Sequence, residues 1–471
     1  MLFSTTTFIV MFLPITIAIY YVFLKNTKTL KNVFLLIASI IFYAWGEPYF
    51  VIVMILSIII NWIFGLLIDK YCNDKIKSKI ILIIMFIFNL SILGVFKYSN
   101  FIVNNINNWF NTNIVIPDIA LPIGISFFTF QAISYVIDIY KKDAKVQKNI
   151  LNMGLYISFF PQLIAGPIVR YKTIAKQIEQ RKESFEKFSQ GVMRFIKGLA
   201  KKVLLSNSLA IISDKAFGTL PSEISVIFAW LGIISYTLQI YFDFSGYSDM
   251  AIGLAKMFGF ELEENFNYPY VSKSITEFWR RWHISLGTWF RDYVYIPLGG
   301  GRAGKKRQIL NLFVVWSLTG LWHGANWTFV VWGIFYFVLL TIEKLMKLDK
   351  NNSNSKLINC IKHVYTIFCV MIGWVIFRSD SLLQAIQYIK SLFGIVENQF
   401  CNAETILYIK EYAIYIILGI VFSIPLKGKI KKLKDNVIIR FVYIAIIIFI
   451  FYICMCYIIK GTYNPFIYFN F

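Results

Sequence analysis

TFIVMFLPITIAIYYVFL, residues 7–24, is an apolar run with no basic residue before it and with Lys25, Lys28 and Lys31 just after it. A run of this length and polarity is a membrane-spanning candidate. A cleaved secretory signal carries its charges in the opposite order and ends in a small-residue cleavage site, and neither is present here. The lysine-rich side of a crossing faces the cytoplasm, so the N-terminus is expected to face outward. Further apolar runs follow at about 32–45, 49–68, 79–96 and 119–140, joined by connections that alternate between lysine-rich (70–79, 141–148) and lysine-poor (46–48, 97–118). Later runs at about 203–214, 224–243, 309–322, 326–343, 363–378, 412–426 and 440–459 complete twelve expected crossings with both termini outside. On this arrangement 41 of the 47 Lys and Arg lie on the inward side. The weakest crossing is 203–214, because twelve helical residues rise only about 18 Å against a hydrocarbon core of about 30 Å.

Composition agrees with this reading and excludes others. Of 471 residues, 58% are hydrophobic and only 15% charged, above the roughly 45–50% apolar content of soluble domains. Disorder is excluded by an aromatic content of 18%, since such a chain buries ample apolar surface. Six cysteines without a C-x-x-C pair do not make a disulfide scaffold or a zinc site. A net charge of +22 would point to nucleic acid in a soluble protein; here the cytoplasmic loops account for it, and no nucleic-acid partner is expected. No internal repeat supports an inverted-repeat transporter.

The middle of the chain is less regular. Residues 151–167, LNMGLYISFFPQLIAGP, are apolar but broken by Pro161, Gly166 and Pro167, with basic stretches on both sides. Such a segment is expected to dip into the membrane and return, with its non-helical backbone buried in protein or lining a wet cavity. Residues 170–202 are basic and amphipathic and read as a cytoplasmic interfacial helix pair. Residues 246–307 are too polar to span and too aromatic for a simple loop.

Only three histidines occur, and two stand in unusual company: Trp279-Arg280-Arg281-Trp282-His283 and Gly320-Leu321-Trp322-His323-Gly324-Ala325-Asn326-Trp327. A histidine within a membrane domain is costly when charged and is by default a functional candidate. Gly324 and Ala325 leave room beside His323 for a substrate. His363 follows Lys362 at the start of a crossing and reads as a solvated interfacial residue. No G-x-S-x-G or H-E-x-x-H accompanies the histidines, so neither a serine hydrolase nor a zinc site is expected. The simplest chemistry is general-base activation, by His323, of a hydroxyl or thiol supplied by the substrates. Gly299-Gly300-Gly301-Arg302-Ala303-Gly304-Lys305-Lys306-Arg307 meets the G-x-x-x-x-G-K spacing of a phosphate loop, but Lys306 stands where Ser or Thr would hold magnesium. These cations can instead meet the phosphates of coenzyme A or form a solvated basic turn. Two carboxylates, Asp243 and Asp249, follow a long apolar run and are expected either to orient a histidine or to pair with Arg280 and Arg281.

At these residues the chain resembles the membrane-bound O-acyltransferase (MBOAT) family. Its likeness is to the bacterial alginate O-acetylation branch and, more distantly, to the D-alanyl transfer proteins of teichoic acids. The matching stretches are MLFSTTTFIVMFLP at the start, FYAWGEP at 42–48, PIGISFFTFQ at 122–131, FPQLIAGPIVRY at 160–171, YFDFSGYSDMAIGLA at 241–255, NFNYPYVSKSITEFWRRWHISLGTWFRDYVYIPLGG at 265–300 and LTGLWHGANWTFVVWG at 318–333. The resemblance implies an all-α polytopic membrane protein, a ring of about 11–13 tilted helices with re-entrant and interfacial segments around a central funnel. It implies one domain over 1–471, with N-terminal helices 1–140, a catalytic core 141–378, C-terminal helices 379–459 and an extracytoplasmic aromatic tail 460–471.

The same resemblance gives the catalytic role to His323 and the second polar position to His283. It implies acetyl transfer across a bacterial plasma membrane from a cytoplasmic donor, acetyl-CoA or an acyl carrier protein thioester, with no metal and no permanently bound cofactor. Arg280, Arg281, Arg302 and Lys305 are the candidate donor-binding residues. An extracytoplasmic SGNH-type partner would finish transfer to a polysaccharide, and membrane lipids surround the ring. D-alanyl transfer is the alternative, and a polysaccharide or lipid transporter a more remote one. The tail Tyr463-Asn464-Pro465-Phe466-Ile467-Tyr468-Phe469-Asn470-Phe471 is either an interfacial aromatic anchor or a peptide folded back into the outward funnel. It resembles the F-x-Y-F-x-F peptide of the D-alanyl system, where the tyrosine is thought to carry the acyl group, so Tyr468 is a candidate relay.

Overall fold

A computed structural model describes residues 1–24, 27–117, 119–302, 304–348, 355–425, 437–461, 463–465 and 467. Lys25 and Tyr468 therefore lie outside the described residues. Every regular element among those described is helical. Seven helices are long and apolar enough to cross a membrane: Val51–Lys70, Lys75–Phe110, Val226–Met257, Trp327–Leu345, Lys356–Arg378, Ala403–Phe422 and Val437–Ile459. Thr7–Phe23 and Ile125–Tyr140 are apolar but shorter. The expected crossings at 32–45 and 309–322 fall on helices Lys28–Ala44 and Lys305–His323. The chain is a multi-pass membrane protein.

Two compact units divide it, Met1–Phe195 with Ser248–Glu263, and Ile196–Tyr247 with Glu264–Phe471. In the first, the broken segment 151–167 forms two short helices, Ile150–Ser158 and Phe160–Leu163, separated at Phe159, whose ψ of 109° leaves the helical region. Pro161 has no N–H to continue the ladder. Side chains take over the freed groups: Phe160 N donates to Ser39 Oγ at 3.0 Å, Gln162 Nε2 donates to the Tyr156 carbonyl at 2.5 Å, and Tyr156 Oη donates to the Val169 carbonyl at 3.0 Å. Residues 153–169 are all buried, as irregular backbone in a membrane protein must be. In the same unit Asn61 and Asn89, both fully buried, exchange side-chain hydrogen bonds of 3.1 and 2.9 Å between two spanning helices. Such a pair spares each amide from facing hydrocarbon alone.

The basic region forms two helices as expected, Tyr171–Gln180 and Phe185–Ala200, but no separate short crossing follows the second. Helix Phe185–Ala200 runs on through a π-helical turn, Lys201–Ser206, into Asn207–Gly218. No breaker separates the amphipathic part from the apolar part, so 203–214 continues the helical run before it and is not an isolated twelve-residue crossing. The crossing expected at 224–243 lies on helix Val226–Met257, which runs on past Gly246, where polarity suggested a stop. Ile125 starts its helix later than 119, since Pro122 and a left-handed Gly124 (φ 76°) precede it.

In the second unit the hairpin Lys305–His323 and Trp327–Leu345 carries the site. A Cβ on Gly320 would lie 2.4 Å from the Phe329 carbonyl oxygen, and one on Gly333 would lie 2.5 Å from that of Trp316. Two glycines facing each other thus let the backbones touch, as small residues do between membrane helices, and this crossing lies one turn before His323. Gly333→Val should force the hairpin apart: overpacking a tight contact costs about 1–3 kcal/mol, so a fall of several degrees in the melting temperature of detergent-purified protein is expected. Unchanged melting would remove the crossing from the account.

Candidate active site

His323 is the last residue of its helix and is 8% exposed. Its imidazole meets three aromatic rings edge-on, Trp322 at 4.9 Å, Trp332 at 5.0 Å and Phe377 at 5.1 Å between centroids. Trp332 and Phe377, with Ile240, Asp243, Phe244, Trp282, Trp374 and Ile467, enclose a cavity of about 20 Å³ beside His323. That is space for little more than one water. The space anticipated beside Gly324 is already taken: a Cβ there would lie 2.1 Å from Phe329 Cε2, so the glycine admits this ring and not a substrate. A larger cavity of about 320 Å³ shares Phe377 and Ile467 with the small one and is lined mainly by polar groups, among them Asp214, Gln239, Asn326, Thr328, Arg378 and Asp380. Arg378 is held there by Asp214 at 3.0 Å.

His283 occupies a different environment. It caps helix Ile284–Phe290 in a left-handed conformation (φ 46°) and is 2% exposed. Its Nδ1 lies 3.1 Å from Asn265 Oδ1, which also accepts from Ser285 N and Oγ at 3.2 and 2.9 Å. An amide oxygen only accepts, so Nδ1 carries the proton and Nε2 the lone pair. Phe244 packs edge-on against His283 at 4.6 Å and lines the His323 cavity on its other side. Trp322 touches both imidazoles, at 5.8 Å from His283 and 4.9 Å from His323.

The carboxylates do not orient a histidine by any described bond, nor do they pair with Arg280 or Arg281. Asp243 is paired with Lys202 at 2.7 Å, with both side chains 3% exposed or less, and Asp249 with Arg194 at 2.8 Å. Arg281 instead bonds Glu277 at 2.8 Å one turn before it, and Arg280 is exposed. The geometric reason is that Arg280 and Arg281 stand on the short helix Ile275–Arg281, whereas Lys202 sits in the π-helical turn, where the ladder is widened. Arg302 and Lys305 are exposed. The glycine run around them is a turn in which Gly299, Gly300 and Gly304 take φ values of 103°, 56° and 89°, and it feeds the hairpin. His363 is not simply solvated, since its Nδ1 lies 3.0 Å from the Ser272 carbonyl. Three-residue clusters of His, Cys, Asp or Glu fit to hold a metal are absent among the described residues.

The described part of the tail is folded into the unit. Tyr463 Oη donates to Asp214 at 2.7 Å, Asn207 Nδ2 donates to Asn464 Oδ1 at 3.2 Å, Lys202 Nζ donates to the Pro465 carbonyl, and Ile467 N donates to Asp243 Oδ2 at 3.0 Å. Ile467 is 7% exposed and lines the His323 cavity. Phe466, Phe469 and Phe471, aromatics on which both expectations for the tail rest, lie outside the described residues. Tyr468 itself lies outside the described residues.

A profile of the membrane-bound O-acyltransferase family matches residues 141–382, which hold both buried histidines. The chain belongs to that family. The MBOAT match is supported along most of the sequence by similarity to the probable alginate O-acetylase of Pseudomonas syringae pv. tomato, 44% identical over 81% of this chain and 73% of the relative. The peptidoglycan O-acetyltransferase of Helicobacter pylori is 33% identical over 85% of this chain and 81% of its own. The teichoic acid D-alanyltransferase of Bacillus subtilis is 29% identical over 54% of this chain and 68% of its own. This MBOAT protein is therefore an acyltransferase, and its chemistry implies an acyl donor.

Sequence reasoning missed Lys202, counted only as one of the inward charges, and Asn265, which sets the His283 tautomer. A carboxylate at Asp243 in an apolar run was a signal that a cation had to meet it; nothing in the sequence said which one. Lying outside the seven spans, His283 has a pKa pushed from 6.5 down to about 3 by burial. Folded His283 thus stays neutral while the unfolded chain takes up a proton as the pH falls through 6.5, so its contribution to stability is present above 6.5 and is lost toward 3. Between pH 7.5 and 5 the loss should be roughly 2 kcal/mol. His283→Asn, which tolerates the left-handed backbone, should flatten the dependence of melting temperature on pH over this range, and an unaltered slope would count against a buried neutral His283.

Proposed function

We propose that the protein is a membrane O-acetyltransferase that takes an acetyl group from a cytoplasmic thioester, acetyl-CoA, and passes it outward for O-acetylation of a cell-surface or extracellular polysaccharide. The observation that carries this reading is His323, a buried imidazole among aromatic walls in a cavity adjoining a polar one. In the step proposed, an acceptor hydroxyl oxygen attacks the thioester carbonyl, His323 takes the hydroxyl proton, the C–S bond breaks and the thiolate leaves to be protonated. Arg280, Arg281, Arg302 and Lys305 are the proposed contacts for the donor's phosphates, on the cytoplasmic side, with both termini outside. His283 orients the site, and an SGNH-type extracytoplasmic partner completes transfer to the polymer.

D-alanyl transfer from a carrier protein is the second reading, favoured by the Bacillus relative; the acetyl reading has relatives named O-acetylases that match over four fifths of the chain or more. Purified protein given radiolabelled acetyl-CoA and, separately, aminoacyl carrier protein should transfer only acetyl; transfer from the carrier alone would overturn the donor assignment. His323→Ala should lower transfer by about 10²–10⁴-fold, the usual cost of losing a positioned base, with unchanged chromatographic behaviour.

Tyr468 is proposed as the first acceptor. Ile467, its neighbour in sequence, lines the His323 cavity, and a phenol of pKa about 10 needs such a base at neutral pH. The acetyl group would move from thioester sulfur to the Tyr468 oxygen, then to a serine hydroxyl of the partner with release of the phenol. Tyr468→Phe removes only that oxygen. Polymer acetylation should then nearly vanish, whereas normal acetylation would leave the tail as an anchor.

A further inference from the structure

We infer that Lys202 and Asp243 are positioning residues that clamp the C-terminal tail into the His323 cavity. Their ion pair is 2.7 Å long and both side chains are 3% exposed or less. Burying an ion pair is often no better for stability than packing apolar side chains of the same volume, so stability alone is a weak reason for one here. What distinguishes this pair is where its other hydrogen bonds go. Lys202 Nζ donates to the carbonyl of Pro465, and Asp243 Oδ2 accepts from the N–H of Ile467. A cation and an anion thus hold an acceptor and a donor of the tail's backbone two residues apart.

Because both contacts are to main-chain atoms, they fix the register of the tail whatever its side chains are. Pro465 adds to this: it has no N–H and a fixed φ, so its carbonyl is its sole main-chain bonding group and its direction is restricted. Lys202 lies in the π-helical turn Lys201–Ser206, and such turns are frequent at functional sites. Asp243 and Ile467 both line the cavity that holds His323, so this clamp holds the tail beside that imidazole. If the tail left, each charged group would lose a partner in a buried place, which is costly for a charged group. The seated tail and the ion pair therefore depend on each other.

The inference rests on the acyltransferase reading only for what the seated tail is used for, and the test separates the two. Ile467→Cys, in full-length protein whose exposed Cys72, Cys360, Cys401 and Cys456 are replaced by Ser, reports seating through its rate of maleimide labelling in detergent. Lys202→Met or Asp243→Leu alone leaves a lone buried charge and risks misfolding. The double variant Lys202→Met/Asp243→Leu removes both charges at similar volume and is expected to fold. In the double variant the thiol introduced at position 467 should label at least ten times faster than with the ion pair present, and Lys202→Arg should keep it slow. Equal labelling with and without the pair overturns the clamp. Hydrogen exchange of the Ile467 amide in the unmodified chain gives a reading that no misfolding can spoil: protection is expected, and exchange at the rate of an unstructured peptide overturns the clamp as well. Transfer of acetyl is measured on the same proteins. Fast labelling with undiminished transfer would keep the clamp and discard the tail's part in the reaction.

Discussion

A polar group inside a membrane protein has no bulk water to fall back on, so each N–H, C=O, amide or charge must find its partner within the chain. This constraint shapes every functional feature described above. Where Pro161 breaks a helix, Ser39, Gln162 and Tyr156 supply side-chain partners to the loosened backbone. Asn61 and Asn89 answer each other. Asn265 meets His283. Lys202 and Asp243 meet each other and then use the tail's backbone for what is left. The same demand that makes polar groups costly also makes their positions well defined, since an unmade bond in low dielectric is expensive.

Placement of His323 follows from packing. Gly320 and Gly333 allow two backbones to approach until carbonyl oxygens would collide with any Cβ, and the close crossing ends one turn later at the imidazole. Trp322, Trp332 and Phe377 then surround the ring on several edges. Aromatic walls exclude water and lower the local dielectric, conditions in which a proton transfer between fixed groups responds strongly to small displacements. His283 has the opposite character: its Nδ1 is committed to Asn265 and its burial holds it neutral. Two histidines of one chain thereby divide their roles, one walled into a cavity and the other tied down beside it, with Phe244 and Trp322 in contact with both regions.

The size difference between the two adjoining cavities bears on how an acyltransferase can keep its donor from water. About 20 Å³ beside His323 admits no free substrate, while about 320 Å³ lies beyond Phe377 and Ile467. A histidine reached only past ordered side chains is shielded from bulk water. Ile467, in the C-terminal tail, lines both cavities.

The membrane class, most helices and the two histidines buried among aromatic rings were legible in the amino-acid sequence, because each rests on a local signal: apolar run length, charge alternation, and histidines in aromatic company with long family-like stretches. The broken segment 151–167 was legible for the same reason, since proline and glycine act on their own neighbours. Other features depended on which distant residues meet. Nothing local distinguishes Lys202 from Lys201, yet one side chain is buried against Asp243 and the tail. The carboxylates' true partners, the filling of the Gly324 position by Phe329 and the continuity of 185–218 were decided by three-dimensional packing. A single chain specifies its hydrophobic runs residue by residue, but a buried charge is satisfied by whichever opposite charge the fold brings within about 3 Å, and that is settled only when the helices pack.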